Sequence, residues 1–198
     1  NFANSLLIGH TTTGTLSTAQ YNIGIGPESL KKITSGDHNT SIGYQSLLNV
    51  TNGGSNIAIG NFSLMSTNAY NNVAIGQEAG LTNTTGGNNT YIGRGADANA
   101  NNYSNSTAIG YNSEITKSDQ IVLGKSSSPP QVYIPGDVGI KTTSPSKTLD
   151  VAGDINYTGT LYQNGSAVTL GGGASSLDGL SDVKFGGTDF SGSLLIGH

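Results

Sequence analysis

Three histidines, twelve carboxylates and a large stock of serines are the residues of this chain whose types could do chemistry. His10 and His198 occupy equivalent places in two copies of one motif, and His38 stands alone. Neutral imidazoles gathered on a symmetry axis can ligate a metal. Isolated histidines on loops do not, and surface placement is the reading taken here. Asp137, Asp150 and Asp154 form one loose group among the scattered acids. Glycoside hydrolysis needs two carboxyl groups about 5–10 Å apart, and no spacing here marks such a pair. No Gly-x-Ser-x-Gly elbow accompanies the serines. Gly24-Ile25-Gly26 is corner chemistry rather than a dinucleotide loop, because no helix follows it. Triplets such as Asn49-Val50-Thr51 and Asn83-Thr84-Thr85 fit the glycosylation pattern, but chance supplies them in an Asn/Thr-rich chain. Tyr44, Tyr70, Tyr91, Tyr103 and Tyr111 could stack on sugars; the competing reading packs them between coils. The residues therefore give no expected catalytic set, no metal and no cofactor, and they give no receptor-binding residues.

The composition points away from an ordinary globular domain. Charged residues make up 10% of the chain, against about 25% usually. Hydrophobic content is 34% and glycine supplies 30 of 198 residues. Disorder usually combines low hydropathy with high net charge. Here the net charge is only −4, and a slightly acidic chain lacks the basic stripe expected of a nucleic-acid binder. There is no cysteine, so disulfides and thiolate metal sites are excluded. No apolar run approaches the ~20 residues of a membrane helix, so no membrane insertion is expected. Asn1-Phe2-Ala3-Asn4 carries neither a signal-peptide pattern nor an initiator Met, which suits a piece of a longer protein.

What would have to position any site is a repeat. An apolar residue and a glycine recur as Ile8-Gly9, Ile25-Gly26, Ile42-Gly43, Ile59-Gly60, Ile75-Gly76, Ile92-Gly93, Ile109-Gly110 and Leu123-Gly124. The steps between the glycines are 17, 17, 17, 16, 17, 17 and 14 residues. So regular a period signals stacked coils. Two residues before each glycine's partner stand Leu6, Ile23, Thr40, Ile57, Val73, Thr90, Thr107 and Ile121. Mostly β-branched residues at a spacing of two make a short strand with one buried face. The residue between them is often small (Ala58, Ala74 and Ala108, for example) and suits a face pressed against something close. The glycine ends the strand at a tight corner. Ser29, Ser46, Ser63, Ala79, Ala96 and Ser113 follow three places later. Then comes a second apolar position, Leu30, Leu47, Leu64, Leu81, Ala98 and Ile115, in a second short strand or bend. Asn/Thr/Gly loops close each coil. The isoleucine ladder is taken as the repeat core. On that reading a charge at Ile75 breaks the stack, whereas Val50, in a polar loop, tolerates one.

Coils about 4.8 Å apart with two to four apolar side chains each have thin cores. At ~1.5–3 kcal/mol per buried side chain, such a core scarcely offsets ~1–2 kcal/mol of backbone entropy per residue. Burial of a second face between chains is the natural remedy, so an obligate oligomer is expected.

Asn105-Ser106-Thr107-Ala108-Ile109-Gly110-Tyr111-Asn112-Ser113, Ser55-Asn56-Ile57-Ala58-Ile59-Gly60-Asn61-Phe62-Ser63 and Asn71-Asn72-Val73-Ala74-Ile75-Gly76-Gln77-Glu78-Ala79 resemble the head repeat of trimeric autotransporter adhesins. The longer repeat, with its polar loops, looks more like repeats in tail-fibre proteins of bacterial viruses. The resemblance spans roughly residues 5–125 and implies an all-β fold: a left-handed parallel β-roll in a homotrimer. It also implies a structural shaft of a phage tail fibre, on a virion, whose partners are its own copies, other fibre or tail proteins and, at a distal tip, a host-cell receptor such as a glycan. The alternatives are a bacterial surface adhesin with the same roll and a β-helical polysaccharide depolymerase.

Three regions are expected: the roll at 1–125, short-stranded connectors at 126–169, and a Gly/Ser linker leading to a new repeat at 170–198. Pro129 and Pro130 stop strand addition. Gln131-Val132-Tyr133-Ile134-Pro135 alternates like a strand, and Asn164-Gly165 is a good hairpin dipeptide. Residues 137–154 look like a segment common in phage tail fibres. Phe190-Ser191-Gly192-Ser193-Leu194-Leu195-Ile196-Gly197-His198 repeats Phe2-Ala3-Asn4-Ser5-Leu6-Leu7-Ile8-Gly9-His10 with two differences, as though roll and connector alternate along a fibre.

Overall fold

The structure is a computed structural model and describes residues 5–9, 18–155, 158, 162–163 and 166–167. His10, His198 and the second copy of the nine-residue motif lie outside the described residues. The chain divides into two units, Asn1–Val132 and Tyr133–His198.

The first unit is a β-solenoid. Eight strands stack in one parallel sheet: β1 (Leu6–Ile8), β2 (Ile23–Ile25), β3 (Thr40–Ile42), β4 (Ile57–Ile59), β5 (Val73–Ile75), β6 (Thr90–Ile92), β8 (Thr107–Ile109) and β10 (Ile121–Leu123). Each strand pairs with the next copy in the same phase, for example Ile57↔Val73, Ala58↔Ala74 and Ile59↔Ile75. The second apolar position lies on turns at Leu30, Leu47 and Leu64. It becomes a strand only at β7 (Asp97–Ala98) and β9 (Glu114–Ile115), which pair parallel. No helix occurs among the described residues.

The core lies between the sheet and this second wall. It consists of the residue in the middle of each strand (Ser41, Ala58, Ala74, Tyr91, Ala108) packed towards Leu30, Leu47, Leu64 and Ile115, all fully buried. This corrects the sequence reading. Ile8, Ile59, Ile75, Ile92, Ile109 and Leu123 face outward from the coil, and Ile25 and Ile42 are half-buried. Alternation of side chains along a strand puts the middle residue on the opposite face from its neighbours. Where a leucine stands opposite, as at Leu47 and Leu64, the coil has room inside only for a small middle residue such as Ser41 or Ala58. Val50 is corrected too: its side chain is fully buried, in the same phase as buried Ile33.

One coil exchanges volume between two positions. Tyr91 takes the place of a small strand residue, and Gly80 takes the place of a leucine. A Cβ on Gly80 would lie 2.7 Å from Leu64 Cδ2 and 2.9 Å from Tyr91 Cδ2. The buried ring thus fills the space that the missing side chain leaves.

Corner geometry recurs coil by coil. The glycine after each strand has positive φ, from 77° at Gly124 to 136° at Gly76. At Gly60 (φ 133°) a Cβ would meet the Gly76 carbonyl oxygen at 2.5 Å. Gly60→Ala is expected to lower stability by about 3 kcal/mol, measured as a shift in the chemical-denaturation midpoint. Left-handed backbone also recurs in one phase at non-glycine residues: Tyr21, His38, Ser55, Asn71, Asn88, Asn105 and Asp119. Such conformations cost on the order of 1–2 kcal/mol at most non-glycine residues; Asn71, Asn88, Asn105, Asp119 and His38 are of types that adopt them more readily, whereas at Tyr21 and Ser55 the stacked hydrogen bonds impose them.

A ladder of buried asparagines stitches the coils together. Asn39 Nδ2 donates to Asn22 Oδ1 at 3.1 Å and to the Gly53 carbonyl at 3.0 Å. Asn56 repeats this on Asn39 and Ala69, and Asn72 on Asn56 and Gly86. Each amide oxygen also accepts the next coil's main-chain N–H, as from Asn39 to Asn22 and from Asn56 to Asn39. The stack ends where Pro130 packs against Gly124, in the place a further corner would take. Residues 131–135 form no strand, which corrects the sequence expectation. Prolines on both sides remove ladder donors, and Tyr133 is 87% exposed.

In the second unit β11 (Val138–Ile140) and β12 (Leu149–Val151) pair in parallel. β13 (Tyr162–Gln163) and β14 (Ser166–Ala167) pair antiparallel and are separated in sequence by Asn164-Gly165.

Candidate functional surface

The outward face of the eight-stranded sheet is the most distinctive surface of the first unit. Two columns of side chains run along it. One is Leu6, Ile23, Thr40, Ile57, Val73, Thr90, Thr107 and Ile121; the other holds the isoleucines before the corner glycines, ending at Leu123. Ile57 is 39% exposed, Ile59 37%, Ile75 41% and Ile109 40%. The parallel register aligns them in unbroken rows, so the apolar atoms form one contiguous stripe. Stripes of this kind on soluble proteins mark interaction surfaces.

The polar residues singled out from sequence are dispersed. His38 is exposed and stacks on Tyr21 with ring centroids 5.0 Å apart. Asp150 accepts the Ser146 N–H and hydroxyl, and these bonds hold its carboxyl below the usual range. No group of three metal-ligating side chains occurs among the described residues. Asp97 and Glu114 stand in register on neighbouring coils. Burial pushes the Asp97 carboxyl up, against the lowering effect of the Thr82 hydroxyl and N–H, which donate to it at 2.7 and 3.0 Å; Glu114 adds a smaller upward push.

The five tyrosines separate. Tyr91 is fully buried, and burial pushes its hydroxyl up. Tyr103 packs partly against the core, while Tyr44, Tyr70 and Tyr111 are exposed. Tyr44 meets Phe62 edge-on at 5.3 Å, and Arg94 lies over the Tyr111 ring at 5.8 Å.

One local irregularity has a visible structural consequence. The Gly60–Gly76 coil is one residue shorter than its neighbours. In the preceding coil the Thr51 carbonyl accepts the N–H groups of Thr34, Ser35 and Gly36. The short coil offers the Asn68 side chain instead: its Oδ1 accepts Thr51, Asn52 and Gly53 N–H at 2.9, 3.1 and 3.1 Å. The missing residue leaves a notch of about 290 Å³ beside Tyr70. The short step is legible in the sequence, but the reason for it is not. The asparagine ladder was missed, although its seventeen-residue recurrence in phase with the glycines was the available signal. No family model, curated protein or solved structure matches this chain.

Proposed function

We propose that this chain is a shaft segment of a homotrimeric fibre, of the kind found in phage tail fibres, serving attachment of a virion to its host. The observation that supports the reading best is the unbroken aliphatic stripe on a solenoid whose own core is thin. Three copies around an axis, each a left-handed roll, would cover that stripe. Each half-exposed isoleucine would gain on the order of 1 kcal/mol, and the gain repeats at every coil. Polar loops remain outside, and interlocked chains give resistance to unfolding through slow kinetics. The work of such a segment is mechanical: it supplies length and stiffness between a virion and a receptor-binding tip.

Ile75→Asp tests the reading. The side chain points away from the coil, so the variant keeps the strand circular dichroism of the wild type. In sedimentation velocity its particle falls from trimer towards monomer, because three carboxylates would face one axis. A variant that remained trimeric with unchanged stability would refute the isoleucine face as the interface.

A further inference from the structure

We propose that the notch left by the short coil is a binding subsite for a neutral sugar ring. Its position follows from the missing residue between Asn68 and Ala69, which in the adjoining coils is represented by Asn52 and Thr85. Tyr70 forms one wall and is 51% exposed. Its ring is already fixed: the hydroxyl donates to the Asn52 carbonyl at 2.8 Å, and ring carbons lie 3.4 Å from where a Gly54 Cβ would stand. An immobilised aromatic face offers stacking area without a further loss of side-chain entropy on binding.

Asn68, Asn71, Thr85 and Asn88 supply neutral polar groups beside Ala69 and Gly87. Asn71 Nδ2 donates to Asn88 Oδ1 at 3.1 Å, and Asn88 Nδ2 donates to Asn105 Oδ1 at 3.1 Å. Each amide spends one N–H in this ladder and keeps a second. Thr85 contributes a hydroxyl on the same rim. A fixed aromatic plane beside an array of amides and a hydroxyl matches a ligand with an apolar C–H face and hydroxyls at its edge. No charged residue lines the notch, which favours a neutral saccharide over an anionic one. A volume near 290 Å³ lies at the low end for small-molecule sites, ~300–1,000 Å³, and suits one sugar ring of a longer glycan rather than a whole oligosaccharide.

The test uses the full chain with maltotriose, cellotriose and chitotriose as neutral probes and sialyllactose as an anionic one, followed by saturation-transfer NMR and titration. At least one neutral trisaccharide is expected to bind, with Kd on the order of 1 mM. Tyr70→Ala, at an exposed position, should weaken that binding by about tenfold, and Tyr70→Phe, which keeps the ring, by no more than about threefold. Inserting one serine between Asn68 and Ala69 restores the seventeen-residue step and should abolish binding. Particle mass, measured on the same samples, keeps this outcome separate from the fibre reading. Failure of all three neutral probes to bind, binding unchanged in Tyr70→Ala, or binding of sialyllactose alone would overturn the proposal.

Discussion

Val50→Asp is expected to unfold the repeat region at neutral pH, with a loss of about 4 kcal/mol or more. The side chain is fully buried, and its main-chain N–H donates to Leu47 O at 3.3 Å within the turn. Buried Ile33 and Thr67 hold the same phase on the coils either side, and neither offers a cation to an aspartate there. It must either ionise in a low-dielectric interior or take up a proton, and its folded pKa would rise above the ordinary carboxylate value. An acid whose folded pKa is raised costs most above that pKa. The deficit of the variant should therefore shrink as pH falls through the raised pKa towards the unfolded value of about 4. Denaturation of wild type and variant at neutral and mildly acidic pH measures this directly. A variant as stable as wild type at pH 7 would show that this turn is not packed as described.

Asn56→Leu has the second largest expected effect, about 3–5 kcal/mol. The replacement has similar bulk but removes every side-chain hydrogen bond of one rung. Asn56 Nδ2 serves the Ala69 carbonyl at 2.8 Å and Asn39 Oδ1 at 3.1 Å, while its Oδ1 accepts Asn72 N–H at 3.0 Å. Each group left buried without a partner costs about 1–3 kcal/mol. Neighbouring rungs then lose alignment as well, because each amide is held by the one before it. Asn102→Leu on an exposed loop is the control and should stay within about 0.5 kcal/mol. Urea midpoints of the two variants, read against the wild type, measure the difference; equal midpoints would mean that the ladder contributes nothing beyond loop polarity.

These expectations reverse a ranking made from sequence, and the reason is geometric. The period, the strand phase and the corner glycines were legible because they repeat on residues that differ sharply from their neighbours. Alternation alone does not say which face of a strand its own coil covers. Large apolar residues are usually inside, so Ile59 and Ile75 were assigned to the core. In a coil only a few residues wide, the opposing leucines fill the interior and leave space for Ala58 and Ala74. Val50 looked like loop because Asn49 and Thr51 flank it, yet it shares a phase with Ile33, and that comparison would have exposed it. Buried asparagines defeat a hydropathy reading in the same way: their polarity is satisfied by other rungs of the same ladder. The left-handed positions were only partly legible: Asn71, Asn88, Asn105 and Asp119 favour that backbone, but Tyr21 and Ser55 in the same phase give no such sign. Tyr70 was among the aromatic candidates, but the notch beside it comes from a deletion, whose effect depends on how Asn68 closes the gap.

The central claim is that other copies of this chain cover the isoleucine face. Multi-angle light scattering on a sizing column tests it most directly. A particle of about three times 20.1 kDa is the expected result. A folded monomer of 20.1 kDa at micromolar concentration, its aliphatic stripe in water, would contradict it.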